Sequence, residues 1–439
     1  MMFFSRYESY AYLLRYQLAF GCLCACAMLS YTGAPFAASA EVALTNRIEH
    51  ADHHDDLIED ASLSLANVIA LTMEKYPDIR WLQALEDEAR AVKQRSESWL
   101  AGAPQAGVRF QEATSGSLHY IDGYVQVPLW NLGQQDAEQR IGEKAFISAE
   151  RQSSAIKLRI AGLVRAALWD IALQKIRYEQ ALAEVDIYGK ILAKVQRRVE
   201  LGDLARSDVL LAHSELLQKH SVLNLAEAEL MHARKRYASI TQANRIPTLY
   251  QEKLVSVKEI QETHPDLQAL SSQIERQQAE LDALKKQGSG QTNVSVGINS
   301  DRFTTDPRSN KTESFNIGVT YPFGGTTHTQ PHIAAANIKL NTLMAEREQI
   351  LRNLQQLHHE AEHNLEVNRI ELSIANELQQ VAEQHLKITQ LSFASGEINL
   401  MDLLKIQSRT QQAILNAKER AVMALRDQAL YNQAVGVLP

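Results

Sequence analysis

The chain has 439 residues, room for two or three ordinary domains, but only 10 Pro and 19 Gly, a balance that favours long helices over many short strands. Its formal net charge of −7 argues against a nucleic-acid partner, which usually calls for a basic face. The three cysteines, Cys22, Cys24 and Cys26, all fall in the N-terminal segment, so a chain processed after it has no disulfide and no thiol ligand.

That segment, residues 1–40, reads as a secretory signal. Arg6 and Arg15 precede an apolar run over 18–29, and Ala38-Ser39-Ala40 gives a small-x-small cleavage site before Glu41. Twelve apolar residues are too few for a permanent span. Leu23-Cys24-Ala25-Cys26 also resembles a lipoprotein cleavage box with Cys24 out of pattern, and a lipid on Cys26 would supply one anchor. Residues 41–61 form a polar tail in which His50, His53, His54, Asp55 and Asp56 lie close together. It reads as a solvated tail, with divalent-cation binding as the sharper alternative. No later stretch has 18 consecutive apolar residues, so no spanning helix is expected.

The rest of the chain is one unit written twice. Residues 62–241 form the first repeat, 242–262 a linker, and 263–437 the second repeat. Pro128 and Pro322 are 194 positions apart, and so are Gly202 and Gly396. Tyr76-Pro77 and His264-Pro265 break two helical runs 188 positions apart, because proline cannot continue a helix ladder. A long helical run is expected to start from Pro128 in the first repeat and from Pro331 in the second. From 136 to 200, Ile171, Tyr178, Val185, Leu192 and Val199 hold one heptad position, and Val209, Leu216, Leu223, Leu230 and Tyr237 do so after the turn. Sustained heptads predict coiled-coil hairpins. A 65-residue helix would reach roughly 100 Å, longer than any compact domain.

Each repeat also carries a strand pair. Val108 and Phe110 mark one strand, and Ile121, Val125, Val127 and Leu129 its partner. Val294, Val296 and Ile298 alternate with polar residues, as do Phe315, Ile317, Val319, Tyr321 and Phe323. Such alternation gives one apolar and one polar face. The strands fit either two hairpins lying on a soluble core or barrel strands facing lipid outside and a lumen within. Four strands cannot close a barrel, and an open edge is not tolerated in hydrocarbon. Spanning strands would therefore require several chains to share one barrel.

Order, duplication and spacing together resemble the TolC-like outer-membrane efflux proteins, over about residues 62–437. The carriers are Val127-Pro128-Leu129 and Tyr321-Pro322-Phe323, with the turns at Gly202 and Gly396. The resemblance implies a mainly α fold with a small β part: a homotrimer whose four strands per chain make one transmembrane β-barrel in the outer-membrane lipid, continued by an α-helical tunnel across the periplasm. It implies that Pro128 and Pro322 mark the barrel-to-helix transition. The Gly202 and Gly396 turns would meet a periplasmic adaptor and an inner-membrane pump of the RND or ABC kind. It places Asp402 at the aperture, with Lys405 one turn on where the family has a further aspartate. Asp208 matches an aspartate that ties the closed tip, but its tyrosine partner falls on Phe393 and a second tying arginine on Ile398, so those links cannot form here as such.

His359-Glu360-Ala361-Glu362-His363 matches H-E-x-x-H on a helix, the zinc-peptidase spacing. It lies mid-way along a tunnel-type helix with no evident third ligand, so a solvated polar face is expected, or a passive cation contact helped by His358. The expected function is a passive exit duct with no catalysis and no cofactor. Its fourteen histidines tilt the cargo toward heavy-metal cations, with drug efflux or protein secretion as alternatives. A periplasmic coiled-coil adaptor or scaffold would explain the heptads but not the strand pairs.

Overall fold

The computed structural model describes residues 57–115, 118–303 and 311–439. The signal segment, the possible lipid site at Cys26 and the histidines at 50, 53 and 54 lie outside the described residues. The last residues assigned to the polar tail do not behave as a tail. A strand β1 (Ile58–Asp60) pairs in parallel with a strand β4 (Arg245–Pro247) from the segment read as a linker.

The helices follow the sequence signals closely. Helices α1 (Leu65–Lys75) and α2 (Ile79–Glu97) are separated at Pro77. Ser64 caps α1 by accepting the Asn67 N–H at 3.2 Å, satisfying one of the orphan donors of a first turn. Strands β2 (Gln105–Glu112) and β3 (Leu118–Leu129) follow. Then come α3 (Gln134–Glu200) and α4 (Arg206–Thr241). The second repeat gives α5 (Pro265–Gln287), β5 (Thr292–Phe303), β6 (Thr312–Thr320), α6 (Gln330–Ala394) and α7 (Leu400–Ala434). Pro331 sits in the first turn of α6, where its missing N–H costs nothing.

The two repeats differ in ways the landmarks foreshadow. The hairpin connection between β5 and β6 accounts for the step in offset from 188 to 194. The second repeat has no helix matching α1; residues 248–264 run irregularly instead. Val255 and Val257 of that segment pack against Tyr431 and Val435, and the Tyr431 hydroxyl donates to the Val257 carbonyl at 2.7 Å. One correction concerns Pro128. The helix does not begin there: Pro128 lies inside β3, paired with Asn293, and the helix starts six residues later.

The largest core cluster lies where α1, α2, α3 and α4 meet, with Ile69, Ile160, Val164, Leu168 and Tyr237 fully buried. The Tyr237 hydroxyl donates to the Arg245 carbonyl at 2.9 Å, and burial pushes its pKa up to about 12. Beside it, the fully buried Arg165 grips both carboxylate oxygens of Glu252, at 2.7 and 2.6 Å, and donates to the Val437 carbonyl at 3.0 Å. A charge buried this deeply is tolerated only because its donors are so fully matched.

Candidate channel entrance and barrel sheet

The two turns have the same geometry. At the end of α3, Gly202 adopts φ +82°, its N–H reaches the Val199 carbonyl at 3.0 Å, and the Asp203 N–H reaches Arg198 at 2.9 Å. At the end of α6, Gly396 adopts φ +81°, its N–H reaches Phe393 at 3.1 Å, and the Glu397 N–H reaches Ser392 at 2.9 Å. This paired bonding is the Schellman closure of a helix, and its left-handed residue favours glycine.

The following helices start differently, and this separates Asp208 from Asp402. Asp208 is the third residue of α4, and its carboxylate accepts the Ala205 N–H at 3.2 Å. It is a capping carboxylate. Asp402 stands at the corresponding place in α7, but there Asn399 makes the cap, accepting the Asp402 N–H at 2.8 Å. The Asp402 carboxylate is left exposed and makes no bond among the described residues. Lys405, one turn on, is also exposed.

A residue that the sequence reading passed over joins the two hairpins. Arg198 of α3 donates from Nη1 to the Phe393 carbonyl at 2.9 Å and lies 4.9 Å over the Phe393 ring. The tyrosine-type link is absent, but Phe393 still receives a cation from the other hairpin. Beneath it, Tyr188, Val195, Leu400, Leu403 and Leu404 form a buried cluster. Only the first repeat has an arginine here; the matching residue is Ser392, so periodicity gave no signal.

At the other end, the strands form one antiparallel sheet in the order β2-β3-β5-β6. Its register places Phe110 beside Ile121, Val125 beside Val296, Val296 beside Ile317, and Ile298 beside Phe315. One face therefore carries an apolar band, bordered by Ser300 and Glu313 in the row of Ile121, and it is bare: Ile317 is 65% exposed and Val319 68%. The opposite face carries Arg109, Asp122, Asn299 and Asn316, and Asn316 donates to the Asp122 carboxylate at 3.2 Å. Among the described residues no helix or sheet covers the apolar face, so these hairpins do not rest on a core built by those residues. The outer edges of β2 and β6 have no partner strand within the described residues.

Pro128 is the penultimate residue of β3, and Pro322 lies two residues past the end of β6. A Cβ at Gly102 would stand 3.3 Å from the Pro128 ring, and one at Gly290 the same distance from the Pro322 ring, so each glycine lets a proline sit close. Asn131 ties the junction, donating to the Gln287 and Gly290 carbonyls at 2.9 and 2.8 Å and accepting from the Thr292 hydroxyl at 2.8 Å. Trp99, Leu132, Tyr321 and Phe323 are exposed around it.

The H-E-x-x-H match builds no metal centre among the described residues. His359, Glu360 and His363 are all exposed on α6, and no group of three ligating side chains forms among the described residues. His358 gives no help, because it points the other way: it is buried against Tyr431, with Nε2 3.3 Å from the hydroxyl. Glu360 borders a groove of about 300 Å³ with His264 and Asp427, but neither His359 nor His363 lines it. Among the described residues no helix is long and apolar enough to cross a membrane.

Comparison with known proteins bears on this architecture. No protein-family model matches the chain, and a search of curated proteins finds no match. Solved structures do match. The outer membrane protein VceC of Vibrio cholerae superposes with a TM-score of 0.68 at 14% identity, over 85% of this chain and 97% of that one. The chain has the fold of the TolC-like outer-membrane channels. CusC, a protein described as undergoing conformational changes on folding and transmembrane channel formation, gives 0.68 at 13% identity over 87% and 94%. The open-state MtrE outer membrane channel of Neisseria gonorrhoeae gives 0.65 at 14% identity over 87% and 91%. The matched fold thus extends over most of the chain.

Proposed function

We propose that the protein is the outer-membrane channel of a tripartite efflux system and performs no catalysis. The observation that carries this reading is the bare apolar face of a four-stranded sheet whose two edges are open. Such a sheet is stable in lipid only if neighbouring copies pair edge to edge and close it. Three copies give twelve strands, an even number in the range of outer-membrane barrels. The polar face, with Arg109, Asp122 and Asn316, then lines a lumen. The exposed Trp99, Tyr321 and Phe323 then sit at the lipid–water boundary, where aromatic belts occur.

Helices α3 and α6, of 67 and 65 residues, continue the wall for about 100 Å through the periplasm. The Gly202 and Gly396 turns face the adaptor, and an RND or ABC pump in the inner membrane supplies the energy. The exposed carboxylates of Asp402 form a three-fold ring at the entrance, which concentrates cations. Heavy-metal cations are the favoured cargo, on the weight of histidines in the sequence.

The test is reconstitution of the purified protein in a planar lipid bilayer. Discrete conductance steps with cation preference are expected, and Asp402→Ala should reduce that preference. Protein that inserts without conductance would overturn the channel reading. An unchanged preference in Asp402→Ala would remove the ring.

A further inference from the structure

Two exposed apolar rows run along the helices at opposite sides of the chain. On α6 they are Ile374, Leu378, Val381 and Ile388, and on α4 Leu210, Leu217 and Leu225, each about half exposed or more. Exposed histidines interrupt each row: His385 between Val381 and Ile388 on α6, and on α4 His213 between Leu210 and Leu217, with His220 one heptad further from the turn. His385 and His213 stand eleven residues from their own turn glycine, Gly396 or Gly202, so they lie at the same height above the tip, about 16 Å along a helix.

The repeat indicates what the two rows meet. Within the chain, α3 runs antiparallel against α7, where Gln180 donates to Gln411 at 2.7 Å and Arg177 to Glu419 at 2.6 Å. Moving 194 positions along the sequence turns α3 into α6 and α7 into α4. The Gln180–Gln411 pair becomes Ile374 and Leu217, both exposed in a single chain. A second copy that repeats the packing therefore lays its α4 on this α6 and covers both rows. The same shift takes Ile191, which packs against the tip cluster, to His385, and the buried Gln407 to His213.

We propose that His213 of one copy and His385 of the next form a site for a late first-row divalent cation, Cu²⁺ or Zn²⁺, at each subunit boundary near the tip. Imidazole nitrogen suits these ions. Two imidazoles from opposite helices supply two ligands, and water supplies the rest. The flanking Leu210, Leu217, Val381 and Ile388 bring no competing charge. The site rests on the assembly proposed above. The plainer role for such a pair is to fix the register of an apolar seam, and the experiment separates the two.

The full-length processed protein, purified in detergent and stripped of metal, is loaded with copper(II) chloride, and bound copper is counted by mass spectrometry after desalting. His213→Ala and His385→Ala should each lose one copper per chain relative to the unaltered protein while gel filtration shows the same trimer. A His213→Cys/His385→Cys variant should form disulfide-linked chains on oxidation. Unchanged copper binding in both alanine variants, with the cross-link formed, overturns the metal site and leaves only a register pair. A trimer that fails to cross-link overturns the pairing itself. Unaltered protein that forms no trimer overturns the assembly, and the site with it.

Discussion

Ile317→Lys discriminates sharply between a sheet in water and a sheet in lipid. Ile317 is mid-strand in β6, paired with Val296, and 65% exposed. On a water-exposed surface such a change costs no more than about 0.5 kcal/mol either way. On the lipid face of a barrel, a lysine near the bilayer midplane costs about 2–4 kcal/mol. Three copies per barrel bring that to about 6–12 kcal/mol, comparable to the whole stability of a typical domain. Asn316→Lys is the matched control: one residue away, it faces the polar side beside Asp122, and should assemble normally. The assay is the amount of heat-modifiable oligomer in outer-membrane fractions. Ile317→Lys should deplete it severely and Asn316→Lys should not. Equal, wild-type levels of both would refute the lipid-facing assignment.

Other outcomes follow from single features. Gly202→Val and Gly396→Val each force a β-branched residue into a left-handed turn, costing about 1–2 kcal/mol or more; faster amide exchange in the turns should report it, and unchanged exchange would contradict the strain. Arg165→Met leaves the Glu252 carboxylate buried without its partner, a loss of about 3–5 kcal/mol. The melting temperature should fall and should partly recover in Arg165→Met/Glu252→Gln. Tyr237 has a folded pKa near 12, raised by burial above the ordinary value of 10. Its contribution is therefore complete below pH 10 and is lost as pH rises toward 12; Tyr237→Phe should flatten the fall in melting temperature over that window. Arg198→Ala removes the link to Phe393 and should raise single-channel conductance, whereas an unchanged conductance would make the link merely structural.

Much of this was legible in the sequence because the signals were periodic and occurred twice. Heptad positions such as Ile171, Leu230 and Tyr237 placed the hairpins, and those three side chains are buried. Strand alternation placed the sheet, because period-two patterning leaves few registers open. What escaped had no period. β1 and β4 are three residues each and pair across nearly two hundred positions. Arg198 and Asn131 act through bonds to backbone carbonyls that no spacing rule announces. Pro128 was read as the start of a helix, yet a strand accepts proline where no ladder N–H is required. Asp208 and Asp402 share a position in the repeat, and only the neighbouring Ala205 or Asn399 decides which carboxylate becomes a cap.

Native mass spectrometry of the mature protein, extracted from outer membranes in mild detergent, bears most directly on the claim that one chain is a third of a closed cylinder. A complex of three chains that holds together only in detergent or lipid is the predicted result. A stable single chain in plain buffer, with its β2 and β6 edges open and its apolar sheet face in water, would contradict it.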